Sequence, residues 1–97
     1  MAYSIAFSEE KNELLRAERG VCFDDVVEAI RSRKFLDDKT HHDPKRSHQR
    51  LFIIKINNYA YVIPYVVDET KKEIFLKTIY PSRGYTKSYL KGGKNEK

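Results

Sequence analysis

A single cysteine, Cys22, in a chain of 97 residues excludes an internal disulfide framework and fits a reducing compartment. Cys22 reads as a small packed side chain rather than a nucleophile. No apolar run is long enough to span a bilayer and no leader pattern occurs, so a soluble, cytoplasmic protein with no membrane partner is expected. Glycine is scarce: four in all, two of them (Gly92 and Gly93) in the tail. Neither G-x-G-x-x-G nor G-x-x-x-x-G-K-[ST] is present, which removes a glycine-rich phosphate cradle, and no G-x-S-x-G elbow occurs. His41, His42, Asp43 and His48 are metal-ligating types in one stretch. Their spacing matches no closed zinc site and no cysteine pair supports them, so they read as loop residues, and no metal or cofactor is expected. No repeat or linker divides the chain. It reads as one domain over residues 1–90, followed by a disordered basic tail, 91–97.

What is present is positive charge, unevenly spread. The net charge is +5, but residues 1–38 hold six Lys/Arg against nine Asp/Glu, for −3, and residues 39–97 hold thirteen against five, for +8. The tail adds only Lys91, Lys94 and Lys97 against Glu96, so the excess belongs mostly to the folded part. Such asymmetry suggests one half that meets a polyanion and another that meets something else.

Ser8 followed by EEKNELLRAERG predicts a surface helix: a hydroxyl for orphan N–H groups, two acids in the first turn and Gly20 to close it. CFDDVVEAIRSRKFL predicts a second helix, with Phe23, Val26, Val27 and Ile30 at i, i+3, i+4, i+7. DDKTHHDPKRSHQR has no periodicity and reads as a long loop. Three strands are expected at Arg50–Ile56, Tyr59–Val67 and Glu73–Tyr80, with Asn57-Asn58 as a tight turn that sets Arg50 opposite Tyr65 and Lys55 opposite Ala60. Pro64 lacks a donor and marks a bulge or an unpaired position. A short strand at Tyr3–Phe7 would make a fourth, and YTKSYL could form one helical turn. The expected fold is a small α+β sandwich: two N-terminal helices on one face of a three- or four-stranded antiparallel sheet.

Such a sheet gathers basic and phenolic residues: His48, Gln49 and Arg50 entering the first strand, Lys55 on it, Lys77 on the third, then Ser82, Arg83, Tyr85, Thr86, Lys87 and Tyr89. Cleaving RNA without a metal requires a group to activate the 2′-hydroxyl, cations for the crowded phosphate and an acid for the leaving oxygen. Arginine suits the middle task, since its fork takes two phosphate oxygens and stays charged. Arg83, held by the turn Pro81-Ser82-Arg83-Gly84, is the favoured phosphate ligand. Lys77 reads as solvent-facing, and Tyr59 and Tyr61 as packing residues.

The order of motifs resembles the BrnT family of toxins. The opening matches at Phe7, Glu9, Glu10, Lys11, Asn12, Arg19, Gly20, Phe23, Asp24 and Asp25; HQRLFIIKI matches at Arg50, and TIYPSRGYTKSYL at Ser82, Arg83 and Thr86. The resemblance spans about residues 5 to 90. It implies a RelE/ParE-like fold and a small basic ribonuclease that inhibits translation. It also implies a cognate antitoxin, a small DNA-binding repressor that silences the toxin and takes the complex to operator DNA. Lys11, Arg50 and Arg83 are the active-site positions carried over, with Lys77 and His48 as acid–base candidates and Lys55, Tyr85, Lys87 and Tyr89 for RNA contact. Three positions depart from the family pattern. Thr78 stands where an arginine precedes the closing Arg by five residues, so Lys77 substitutes only with an inserted residue or a changed register. Glu18-Arg19-Gly20 replaces Lys-His-Gly, and no acid closes the C-terminal motif near Tyr89. The alternatives are a non-catalytic nucleic-acid-binding module with the same basic face, and a ParE-like gyrase inhibitor.

Overall fold

The computed structural model describes residues 3–40, 43–46 and 49–90; the tail expected at 91–97 and the histidines His41, His42 and His48 lie outside them. The chain runs β1 (Ser4–Ala6), α1 (Glu9–Arg19), α2 (Phe23–Arg31), β2 (Asp37–Thr40), a short 3-10 turn at Pro44–Arg46, β3 (Arg50–Ile56), β4 (Tyr59–Asp68), β5 (Glu73–Leu76), β6 (Tyr80–Pro81) and α3 (Arg83–Tyr89).

The helices begin and end where local chemistry dictates. Ser8 Oγ accepts from the Lys11 N–H at 3.1 Å, and Gly20 closes α1 at φ 68°, a left-handed conformation that a Cβ would strain. α2 has no side-chain cap of its own, because Cys22 at the N-cap makes none. The missing acceptor comes from Asn12 on α1, whose Oδ1 takes the Phe23 N–H at 2.6 Å while Asn12 is 2% exposed. Asn12→Ala is therefore expected to leave a buried N–H unsatisfied and lower stability by about 1–3 kcal/mol, read as a drop in the urea midpoint. α2 stops at Arg31, earlier than the apolar spacing suggests, because Arg33 turns left-handed at φ 58° and sends the chain into β2.

The sheet is larger than expected and mixed rather than antiparallel. Its order is β1-β5-β4-β3-β2, with β6 also pairing β4. β1 runs parallel to β5, with Ile5 opposite Ile74. The stretch read as a continuous loop contains β2, which pairs antiparallel with β3, Asp37 opposite Ile53. Its polar sequence hides a strand because β2 is an edge, where charged residues are tolerated and discourage further pairing. The β3–β4 hairpin has the expected register, Arg50 opposite Tyr65 and Lys55 opposite Ala60, with Asn57 and Asn58 at φ 54° and 63° in the turn.

The third expected strand is interrupted. Leu76 lies opposite Tyr65 and Tyr80 opposite Val62, four residue steps against three, so one extra residue is accommodated between Leu76 and Tyr80. Pro64 explains why the irregularity sits there. Its carbonyl accepts from the Lys77 N–H at 2.8 Å, so the side of β4 on which its own N–H would fall faces the bulge. Pairing toward β3 is undisturbed and continues through Leu51 opposite Pro64. Arg19, at the end of α1, donates to the Ile79 carbonyl at 2.6 Å and ties the helix layer to the bulge.

Two cores result, one on each face. Leu15, Phe23 and Val26 of α1 and α2 pack on Phe52, Ile54, Ile63, Tyr65, Leu76 and Ile79. On the other face, Leu51, Ile53, Ala60 and Val62 are covered by Leu36, Tyr80, Tyr85, Tyr89 and Leu90. The expected single helical turn is thus a two-turn helix that covers the second face, so the helices do not share one side of the sheet. A two-sided cover is what β3 and β4 require, since four consecutive residues of each are buried and both faces are apolar.

Candidate functional site

α3 places the site. Ser82 Oγ caps it by accepting from the Tyr85 N–H at 3.1 Å, and its start is fastened to β4 at one residue. The Ser82 N–H donates to the Ala60 carbonyl at 2.9 Å, while Thr86 Oγ1 accepts from the Ala60 N–H at 2.9 Å and donates to the Ser82 carbonyl at 2.7 Å. Thr86 is 3% exposed. Arg83 and Lys87 lie one turn apart on the exposed side of this anchored helix. With Tyr59 and Thr86 they line a shallow cavity of about 380 Å³. Lys55, the cross-strand partner of Ala60 on the same face, is exposed beside the anchor point. Among the described residues none of Arg83, Lys87 and Lys55 belongs to an ion pair. Like charges at i,i+4 repel by a few tenths of a kcal/mol. Arg83 and Lys87 beside the Tyr59 ring, with Lys55 on the adjacent strand, give this face an uncompensated positive charge of the kind a polyanion would complement.

Lys77 shares this face of the sheet, its ammonium 5.9 Å from the Phe75 ring centroid. It sits opposite Pro64, four residues of β4 from Ala60, or roughly 13 Å along the strand. Arg50 and Lys11 are placed elsewhere. Lys11 is exposed on α1, in the layer across the sheet. Arg50 shares the α1/α2 face with its partner Tyr65, five residues of β4 from Ala60, or roughly 17 Å. Its guanidinium is already engaged: Nε donates to Tyr65 Oη at 3.0 Å and to Asp38 Oδ1 at 3.3 Å, and Nη2 to the Asp38 carbonyl at 3.3 Å. The fold does not bring Arg50, Lys11 and Arg83 to one phosphate.

Tyr85 and Tyr89, expected to contact RNA, are half-buried in the second core. Lys39 lies over the Tyr85 ring at 5.0 Å, and Tyr89 donates to Asp37 Oδ2 at 2.5 Å. On the other face of β2, Asp38 Oδ1 accepts from the Tyr65 hydroxyl at 2.6 Å. Adjacent carboxylates on the edge strand thus hold one tyrosine on each side of the sheet. The Tyr89 hydrogen bond, helped by the Asp38 N–H, holds Asp37 below its ordinary range, and the same bond pushes the Tyr89 phenol up to about 12. Because the folded pKa of Asp37 is depressed, its contribution is present above the unfolded value of 3.8 and lost as pH falls through the folded one. The raised Tyr89 pKa acts oppositely: its contribution is full below 10.0 and lost as pH rises through about 12. Tyr89→Phe should therefore flatten both limbs, and the acid limb is checked by urea unfolding between about pH 5 and pH 2.

Sequence reasoning missed Tyr59 as a wall of the cavity and Asn12, Arg19 and Thr86 as the residues that lock the layers. For Thr86 a signal was available: Ser82 and Thr86, four apart behind a proline, fit a capped helix start that leaves Arg83 outward.

The fold is similar to that of a known bacterial toxin. A double arginine-to-alanine mutant of E. coli toxin RelE in the free state matches at a TM-score of 0.50 and 21% identity, over 93% of this chain and 95% of that one. The isolated E. coli RelE toxin in its P21 form matches at a TM-score of 0.46 and 21% identity, over 90% and 95%. No family model matches the chain, and no curated protein does. At this identity the likeness is one of architecture: the chain has a RelE-like α+β fold.

Proposed function

We propose that this chain is a BrnT-type toxin: a metal-independent endoribonuclease that cleaves mRNA, inhibits translation, and is neutralised by a small DNA-binding antitoxin through which it reaches operator DNA. The reading rests on Arg83 and Lys87, in no ion pair among the described residues, beside Tyr59 in one cavity, with Lys55 exposed on the neighbouring strand. The RelE-like architecture and the motif order support it.

In this reading Arg83 takes the scissile phosphate through its two-pronged fork, while Lys87 and Lys55 hold the flanking backbone. Tyr59 supplies the ring for an unstacked base, in place of Tyr85 and Tyr89, which are committed to the second core. Cleavage is an in-line attack of the 2′-oxygen on phosphorus with rupture of the bond to the 5′-oxygen. One proton leaves the 2′-hydroxyl and one reaches the departing oxygen, leaving a 2′,3′-cyclic phosphate and a 5′-hydroxyl. His48 is the group proposed for proton transfer; Lys77, on the same face but roughly 13 Å along the strand, serves the outlying backbone instead. Arg83 stabilises the charge that grows on the phosphate oxygens. Arg50 and Lys11 have no part at this phosphate.

The test is to incubate the purified chain with mRNA and ribosomes and to map RNA ends, alongside growth after induction in a bacterium. Growth arrest with new cyclic-phosphate ends is the expected result. Salt-sensitive RNA binding without new ends indicates the non-catalytic module instead, and no RNA binding at all overturns both.

A further inference from the structure

On the α1/α2 face, away from the cation cluster, a groove of about 520 Å³ opens between the end of α2 and the sheet. Its floor is apolar, with Ile5, Ile30, Phe52 and Ile74, and Arg31 and Arg33 stand at its rim. Both arginines are exposed and neither is in an ion pair among the described residues. Asp38, also at the rim, is already held by Arg50 and Tyr65. An apolar side chain flanked by acids would complement such a groove.

Such a segment exists on the same molecule. Leu14 on α1 is a large hydrophobic residue left 51% exposed. Glu10 and Glu18 lie one turn before and after it, exposed and in no ion pair among the described residues. Lys11 is the cation beside it. We infer that the groove receives α1 of a second copy of this chain, Leu14 entering the apolar floor while Glu10 and Glu18 meet Arg31 and Arg33. Helix and groove lie on the same side of the sheet, so a two-fold axis allows each copy to fill the other, a closed and self-complementary contact. Burying Leu14 and the groove floor supplies the hydrophobic term, and the two arginines set the orientation. The inference is independent of the proposed ribonuclease activity, since it leaves the Arg83 face open.

Sedimentation velocity over a concentration series of the purified chain tests it. The expected result is a monomer–dimer equilibrium that weakens with added salt. Leu14→Glu, and separately Arg31→Glu with Arg33→Glu, should each raise the dissociation constant at least roughly tenfold, because both set like charges against each other. Combining the arginine reversals with Glu10→Arg and Glu18→Arg should restore most of the loss. All these side chains are exposed, and Leu14→Glu alone decides the matter if the arginine reversals do not fold. A chain that stays monomeric throughout overturns the inference. A dimer indifferent to both sets of reversals overturns it as well.

Discussion

Arg83→Ala is expected to abolish growth arrest and reduce RNA cleavage on the order of 10²-fold while leaving the fold intact. The size follows from what the side chain would do. A donor pair aimed at charge that develops only in the transition state acts on the rate, and losing one such contact costs about 3 kcal/mol. The fold is spared because Arg83 is exposed and makes no side-chain hydrogen bond or ion pair among the described residues. Surface changes of that kind usually stay within about 0.5 kcal/mol. Arg83→Lys keeps the charge and loses the fork, so it should recover only part of the activity. Equal arrest from the parent and Arg83→Ala would remove Arg83 from the mechanism. Arrest lost together with the thermal transition would make its role structural.

Thr86→Val is expected to produce the opposite pattern, a stability loss that carries activity with it. The replacement has nearly the same shape but removes the hydroxyl that accepts from the Ala60 N–H and donates to the Ser82 carbonyl. Stranding a buried backbone N–H costs about 1–3 kcal/mol, out of a total stability of roughly 5–15 kcal/mol for a domain of this kind. For a chain near 100 residues that is a fall in Tm of roughly 10 °C, readable by circular dichroism. Thr86→Ser restores the hydroxyl and should recover most of it. Because the same hydroxyl fixes the start of α3, RNA binding should weaken in parallel with unfolding. A Thr86→Val chain with unchanged Tm would show that the Ala60 N–H finds another partner.

Local chemistry made much of this fold readable. Ser8 and Gly20 bound α1, and Asn57-Asn58 set a hairpin register that holds along β3. These features depend on residues within a few positions of each other. What escaped depends on distant partners. β2 is a strand because β3 offers it an edge and because Tyr65 and Tyr89 satisfy its two carboxylates, contacts 27 and 52 residues away. The site divides in the same way. Arg83 is legible from its turn, but the separation of Arg50 from it depends on which faces and ends of the sheet they occupy. A string of basic residues along the chain does not encode that. Several motif residues on which the family resemblance rests, Asn12, Arg19 and Thr86, carry structural bonds, so the likeness tracks the scaffold more closely than the chemistry.

The bulge between Leu76 and Tyr80 acts as a parity device. It puts Ile79 in the α1/α2 core and turns Tyr80 to the opposite side, from which α3 departs. Over the four steps from Leu76 to Tyr80, strict alternation without the bulge would deliver Tyr80 and the Ser82-Arg83 corner to the side already occupied by α1 and α2. The extra residue is absorbed where it arises, so the side on which Arg83 emerges follows from the pairing of Tyr80 with Val62 rather than from the number of residues that lead to it.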